Sequence, residues 1–268
     1  MTADPRDLRG LLELEPHGPD VFVGDSPQYP WGRVYGGQVA AQGLRAAAAT
    51  VNTDHRVHSL HAYFIRGGDS SEPIRYEVDR IRNGRSFVTR RVVARQSSGA
   101  ILNLDASFQT VEDQADVQAV DLPDDLDGRD TVANDTWGPL MDRRTVLRNQ
   151  GQGRAAVWMR VLDDLGEDPV LQACGLTYLS DDVPMEAAVD LHPRNTKSWE
   201  EHDEAFLSAS LDHCLWFHRP VRADAWLLFD LRSHGLAGGR GLSFGEVFDE
   251  SGTHVASVSQ EVLLRTRG

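Results

Sequence analysis

The sequence predicts an α+β chain in which one unit, a helix followed by an antiparallel meander, occurs twice. Three observations lead there. A glycine-opened, alanine-rich stretch has helical character. The runs after it alternate apolar and polar residues, as half-buried strands do. The same order then recurs, with matching residues at one fixed distance along the chain.

The first unit reads in order. Residues 34–50, "VYGGQVAAQGLRAAAAT", predict a helix opened by Gly36 and Gly37, with Val39, Leu44 and small alanines allowing close packing. Strands are expected at 58–66, 74–81 (Ile74, Tyr76 and Val78 on one face), 86–95 and 100–109, where Leu102, Leu104, Ala106 and Phe108 alternate. Ser98-Gly99 marks the tight turn between the last two. Residues 110–135 then turn acidic and lose all period, which reads as a connection. The expected division is 1–112, a linker over 113–135, and 136–268.

The second unit opens with a strand at 154–162 and a helix at 169–181, with Pro169 at its start. After a longer insertion come "SLDHCLWFHR", "AWLLFDLRS", "GLSFGEVFD" and "THVASVSQEVLLR". Phe64 and Arg66 correspond to Phe217 and Arg219, and Ser98-Gly99 to Ser251-Gly252, each at a shift of 153 residues. Each copy leaves a sheet edge open, and pairing the copies edge to edge would cover it.

Composition narrows the function. A formal charge of −14 argues against nucleic acid and anionic membrane as partners. No apolar run is long enough to span a bilayer, and the acidic N-terminal stretch does not read as a signal peptide. Cys174 and Cys214 stand alone, which suggests a reducing, cytoplasmic setting without zinc. No metal-ligand spacing occurs: His58 and His61, three apart on a strand, point to opposite faces. No phosphate-binding glycine loop leads from a strand into a helix, so no cofactor is expected.

Three constellations carry candidate chemistry. Gly241-Leu-Ser243-Phe-Gly245 matches the nucleophile elbow of serine hydrolases, but a strand, a turn and another strand surround it where the elbow needs a helix. Arg80, Arg82, Arg85, Arg90, Arg91 and Arg95 concentrate positive charge, either as a solvated sheet face or as a patch for a phosphorylated substrate tail, with Arg90 and Arg91 as its candidate contacts. Finally, Asp212 lies inside an aromatic-rich strand, on one face with Cys214, Trp216 and His218. If that face looks inward, Asp212 is a buried acid needing partners. Gln260 lies in the last strand. An acid and an amide aimed at one water make a general base and an orienting group.

The runs "RVYGGQVAAQGLRAA", "HSLHAYFIRGGDSSEPIRYEVDRIRNGRSFVTRRVVA", "DASFQ", "SLDHCLWFHRP" and "VASVSQE" together resemble the acyl-CoA thioesterase II family, the double-hotdog thioesterases. The resemblance implies two hotdog folds, each an antiparallel sheet wrapped around a central helix. It implies hydrolysis of acyl-CoA to free acid and CoA, and self-association into an oligomer. The family's water-holding acid falls on Asp212 and its amide on Gln260, with Gly36 and Gly37 as substrate-side candidates. Its third member is a hydroxyl. Here "RSHGLAGGRG" puts His234 at that position with Ser233 beside it. That departure leaves open whether His234 or Ser233 serves, or whether the chain binds acyl-CoA without turning it over.

Overall fold

The computed structural model describes residues 7–267 except 127, 150, 195 and 197. The first half runs α1 (Leu8–Leu11), β1 (Glu15–Pro16), β2 (Val21–Gly24), α2 (Gly36–Ala48), β3 (His55–Phe64), β4 (Ile74–Asn83), β5 (Phe87–Gln96) and β6 (Gly99–Thr110). The second runs β7 (Met141–Asn149), β8 (Arg154–Val161), α3 (Pro169–Ser180), α4 (Val183–Leu191), α5 (Trp199–Ala205), β9 (Phe206–Ser210), β10 (Asp212–Phe217), β11 (Leu227–Ala237), β12 (Arg240–Asp249) and β13 (His254–Thr266).

All strands join one antiparallel sheet, in the order β1-β2-β4-β5-β6-β3-β10-β13-β12-β11-β8-β7, with β9 also on β13. Read outward from its centre, β3-β6-β5-β4-β2 matches β10-β13-β12-β11-β8, so the two halves are the same sheet joined through β3 and β10. Leu60 pairs with Leu215 and Ala62 with His213 across that seam. The expected edge-to-edge closure is therefore present, and it removes two open edges at once. The repeat is also metric: β4 and β11 begin at Ile74 and Leu227, β5 and β12 at Phe87 and Arg240, each pair 153 residues apart. The helices break the spacing, because α4 and α5 occupy the insertion between α3 and β9.

Helix α2 forms where Gly36 and Gly37 lead into an alanine-rich run. It buries Val39, Ala40, Ala41, Leu44, Ala46 and Ala47 between its sheet and α3. Small side chains permit this central helix pair to approach closely. The approach is tightest at Gly37, where a Cβ would sit 2.3 Å from the Tyr178 carbonyl oxygen, so only glycine fits. Helix α3 starts at Pro169, as its sequence predicts, and Asp168 caps it by accepting from the Val170 N–H. It ends at Ser180, and α4 resumes at Val183 with Pro184 in its first turn, leaving Asp181 and Asp182 at the break. Helix α4 continues across β8, β11 and β12.

Residues 111–123 carry no helix or strand. They run beside the β12–β13 turn, held by Asp116 to Arg219 and by Gln118 to the Gly252 carbonyl and His254 N–H. Among the described residues, no helix is long and apolar enough to cross a membrane.

Candidate active site

Strand β10 turns His213 and Leu215, both fully buried, toward the helices. This corrects the conditional reading of that strand: the inward face carries His213, and Asp212, Cys214 and Trp216 take the other side. Trp216 packs edge-on against His61 of β3, with ring centres 5.3 Å apart on the outer face. Under the 153-residue shift His213 falls on Leu60, itself fully buried. A buried histidine where the repeat places a leucine is the sequence signal that marks the site.

The fully buried Gln260 lies beside His213 on neighbouring β13, and its Oε1 is 2.5 Å from His213 Nδ1. Its Nε2 donates to Ser210 Oγ at 2.9 Å, and Ser210 Oγ donates to Asp181 Oδ1 at 2.9 Å. On the other side His213 Nε2 is 2.8 Å from Ser180 Oγ. Five side chains from α3, the α3–α4 break, β9, β10 and β13 thus form one chain of hydrogen bonds, buried except at the half-buried Ser210. Ser180, Asp181, Ser210 and His213 were not singled out from sequence.

Burial pushes the Asp181 carboxyl up to about 7, against the Ser210 hydroxyl, the Gly37 N–H and Gln260, with the charge of Asp182 adding to the rise. Tyr35, which packs edge-on against Tyr178 with ring centres 5.1 Å apart, lies beside it. Burial also drives His213 down to about 4, so the imidazole is neutral near pH 7. Asp182 is held differently. It accepts from Trp137 Nε1 at 2.6 Å and pairs at 2.7 Å with the buried Arg143, which also bridges Asp135 and Glu186. Gly36 closes the site from the α2 side: a Cβ there would lie 2.5 Å from Asp181 Oδ2 and 3.0 Å from the Phe64 ring.

Asp212 sits next to this chain but outside it. It starts β10 just after Leu211, where the backbone passes from β9 to β10 along β13. There its Oδ1 accepts from the Glu261 N–H at 2.6 Å, filling a place in the ladder that the bend leaves open. Burial raises its pKa, against the Glu261 N–H. β10 and β13 are direct neighbours, so Asp212 and Gln260 come from adjacent strands, and no hydrogen bond joins their side chains.

The hydroxyl region is explained by a β-bulge between Ser233 and Gly235. The extra residue, His234, turns outward and packs on Phe244, 5.5 Å between ring centres. Ser233 faces inward. It pairs with Ser243, which pairs with Gln260, so the three lie in one row across β11, β12 and β13. Two strand spacings, about 10 Å, separate Ser233 from Gln260. Its hydroxyl donates to the Leu242 carbonyl at 3.2 Å. Neither His234 nor Ser233 touches Gln260.

The glycine-flanked serine has no elbow. Ser243 lies mid-strand in β12, fully buried, and donates to the Pro184 carbonyl at 2.8 Å. Half of the arginine stretch is ion-paired: Arg80 with Asp20, Arg91 with Asp105 and Arg95 with Glu77. Arg90 turns inward, 2% exposed, and donates to Thr50, Arg82, Asn83 and Thr89. Its guanidinium is thus withdrawn from any surface patch. Among the described residues, no cluster of side chains could hold a metal ion.

Two helix-backed half-sheets joined at their edges define a double-hotdog protein. A solved hot dog fold protein from Alicyclobacillus acidocaldarius superposes with TM-score 0.78 at 19% identity, over 97% of this chain and 98% of that one. The chain belongs to the acyl-CoA thioesterase II family. The family model described as the acyl-CoA thioesterase N-terminal domain matches residues 25–109, and the C-terminal domain model matches 108–264. An acyl-CoA thioesterase 2 from Haemophilus influenzae is 34% identical, covering 97% of each chain. The crystal structure of the acyl-CoA thioesterase II TesB2 from Mycobacterium marinum superposes with TM-score 0.83 at 36% identity, over 97% of this chain and 98% of that one.

Proposed function

We propose that this chain, an acyl-CoA thioester hydrolase by family, cleaves fatty acyl-CoA with a water held at the bend between β9 and β10, which Asp212 reaches from one face of the sheet and Gln260, through Ser210, from the other. The observation that carries this reading is the position of Asp212. One carboxylate oxygen is anchored by the Glu261 N–H, the residue after Gln260, which leaves the other for a water. Half-burial makes the carboxylate more basic than a solvated one. The water oxygen attacks the thioester carbonyl carbon while its proton passes to Asp212. The tetrahedral intermediate then collapses, the C–S bond breaks, and Asp212 returns the proton to the departing CoA thiolate. Gln260, clamped at both ends of its amide, has the fixed orientation that positioning a water needs.

Gly36 and Gly37 stay in this reading as the α2 wall of the site, and Arg91, exposed beside Asp105, as a contact for CoA phosphates. We also infer self-association through the outer sheet face, which exposes Tyr63, Leu242 and Phe244 around Asp212. Sedimentation of the purified chain tests that point; a monomer at all concentrations removes it.

The test of the reaction is free-thiol release from short, medium and long acyl-CoAs by wild type and Asp212→Asn. A fall of at least about a hundredfold in kcat/KM is expected. Equal rates would remove Asp212 from the chemistry. Acyl-CoA binding without turnover in wild type would instead favour a binding protein. The outward turn of His234, at the position where the family carries its hydroxyl, is what favours that second reading.

A further inference from the structure

The hydrogen-bonded chain Ser180–His213–Gln260–Ser210–Asp181 has two self-consistent arrangements of hydrogens. When Asp181 is a carboxylate, Ser210 donates to it and must accept from Gln260 Nε2. Gln260 Oε1 then faces His213, so Nδ1 carries the imidazole hydrogen and the bare Nε2 accepts from Ser180. When Asp181 is a neutral acid, its O–H donates to Ser210 Oγ. The Ser210 hydrogen then needs an acceptor, which a half-turn of the Gln260 amide supplies. The amide N–H now faces His213, so the imidazole hydrogen moves to Nε2 and points at Ser180. Ser180 has an alternative acceptor ready, the Thr177 carbonyl at 3.0 Å. A single hydroxyl hydrogen with two acceptors in place is what such a chain requires at its end.

We propose that Asp181 is a positioning residue whose protonation, relayed through Ser210, selects which end of the Gln260 amide faces His213 and which ring nitrogen of His213 carries the hydrogen. The change takes up one proton from solvent, on Asp181; hydroxyls rotate, the amide turns, and His213 exchanges tautomer without gaining charge. Several elements face Asp181. Its own break contributes Asp182, whose charge is matched by Arg143. Helix α2 contributes the Gly37 N–H and the buried Tyr35 hydroxyl. β3 contributes the apolar Phe64, β9 Ser210 and β13 Gln260. The consequence for hydrolysis rests on the role given to Gln260 above; the relay itself does not.

Wild-type protein labelled with ¹⁵N-histidine reports the tautomer directly, with His213 assigned by the signal lost in His213→Gln. Spectra at about pH 5.5 and about pH 8.5 bracket the Asp181 value of about 7. The expected result is a neutral imidazole protonated on Nδ1 at the higher pH and on Nε2 at the lower. Asp181→Asn, with its oxygen taken by Gly37 and its amide turned to Ser210, holds the Nε2 form at both. Ser210→Ala abolishes the dependence. One tautomer at both pH values in wild type, or switching that survives Ser210→Ala, overturns the proposal. Decanoyl-CoA hydrolysis separates the layers: kcat/KM should lose, in Asp181→Asn, an acid limb approaching about tenfold per pH unit. A tautomer switch with an unaltered limb would leave the relay standing and remove Gln260 from the water's orientation.

Discussion

Among the described residues each half of the molecule buries one arginine, and the two are held by opposite means. Arg90 in the first half is surrounded by neutral acceptors: two carbonyls and the Thr50 hydroxyl within its own fold, the Thr50 carbonyl, and the Asn83 amide. Burial lowers its pKa. Arg143 in the second half meets three carboxylates, those of Asp135, Asp182 and Glu186. Burial works against its charge, but the three acids outweigh that and hold its pKa above the usual range. The buried amides divide the same way. In the first half Gln42 accepts from Tyr76 at 2.6 Å and donates to the Leu11 and Asp25 carbonyls, stapling the N-terminal segment onto α2. In the second, Gln260 links two titratable groups. At these two pairs of positions the repeated fold has a neutral network in one copy and an ionisable one in the other. Interior charge is costly and persists where it is paired or used.

The largest expected effect breaks that contrast at its strongest point. Arg143→Met leaves three acids facing one another beside the site and should cost about 3–5 kcal/mol of unfolding free energy in urea. Arg90→Met strands only neutral acceptors and should cost less. Equal losses would show that the charge of the partners is immaterial.

Asp181 comes next and runs in the opposite direction. Its carboxyl is raised from 3.8 to about 7 in the folded chain. Between those values the folded state holds a proton that the unfolded state has released, so the stability contributed falls as pH rises through that window. Above it, the buried charge costs its full amount, roughly 4 kcal/mol. Asp181→Asn should therefore be more stable than wild type at pH 8.5, with the gap closing toward pH 4. A variant less stable than wild type at pH 8.5 would mean that the site is not strained by its charge.

The strands of both halves were legible because period-two alternation and the 153-residue shift each constrain them, down to the shared starts of β4 with β11 and β5 with β12. Alternation says which residues share a face, but it does not say which face meets a helix. Asp212 and His213 are adjacent, and the sequence drew the eye to the acid while the fold buries the imidazole. Asp181 was harder still. It stands at a helix break inside the insertion that departs from the repeat, and its partners lie 29 residues on, at Ser210, and across the fold at Gly37. His234 shows a third limit. A bulge adds one residue and reverses the facing of a neighbour, and nothing local in "RSHGLAGG" marks where it falls.

The smallest effects sharpen the comparison within the two central helices. Gly43 in α2 and Gly175 in α3 both lie about two turns into their helices, and glycine there costs each helix conformational entropy. Their surroundings differ. A Cβ on Gly175 would approach Ala223 and Leu165 to 2.8 Å, closer than side chains tolerate, whereas at Gly43 the nearest atoms, on Leu104 and Leu102, stand at 3.5 and 3.6 Å. Gly175→Ala should destabilise by about 1–3 kcal/mol through overpacking. Gly43→Ala meets only ordinary contact and gains the helix propensity of alanine, so it should stabilise by about 0.5–1 kcal/mol. Thermal unfolding of the two variants side by side decides the matter. Opposite signs would show that the second helix is wedged more tightly than the first, as a helix that must fix Ser180 and Asp181 in place requires; a loss at Gly43 as large as at Gly175 would show both helices equally confined.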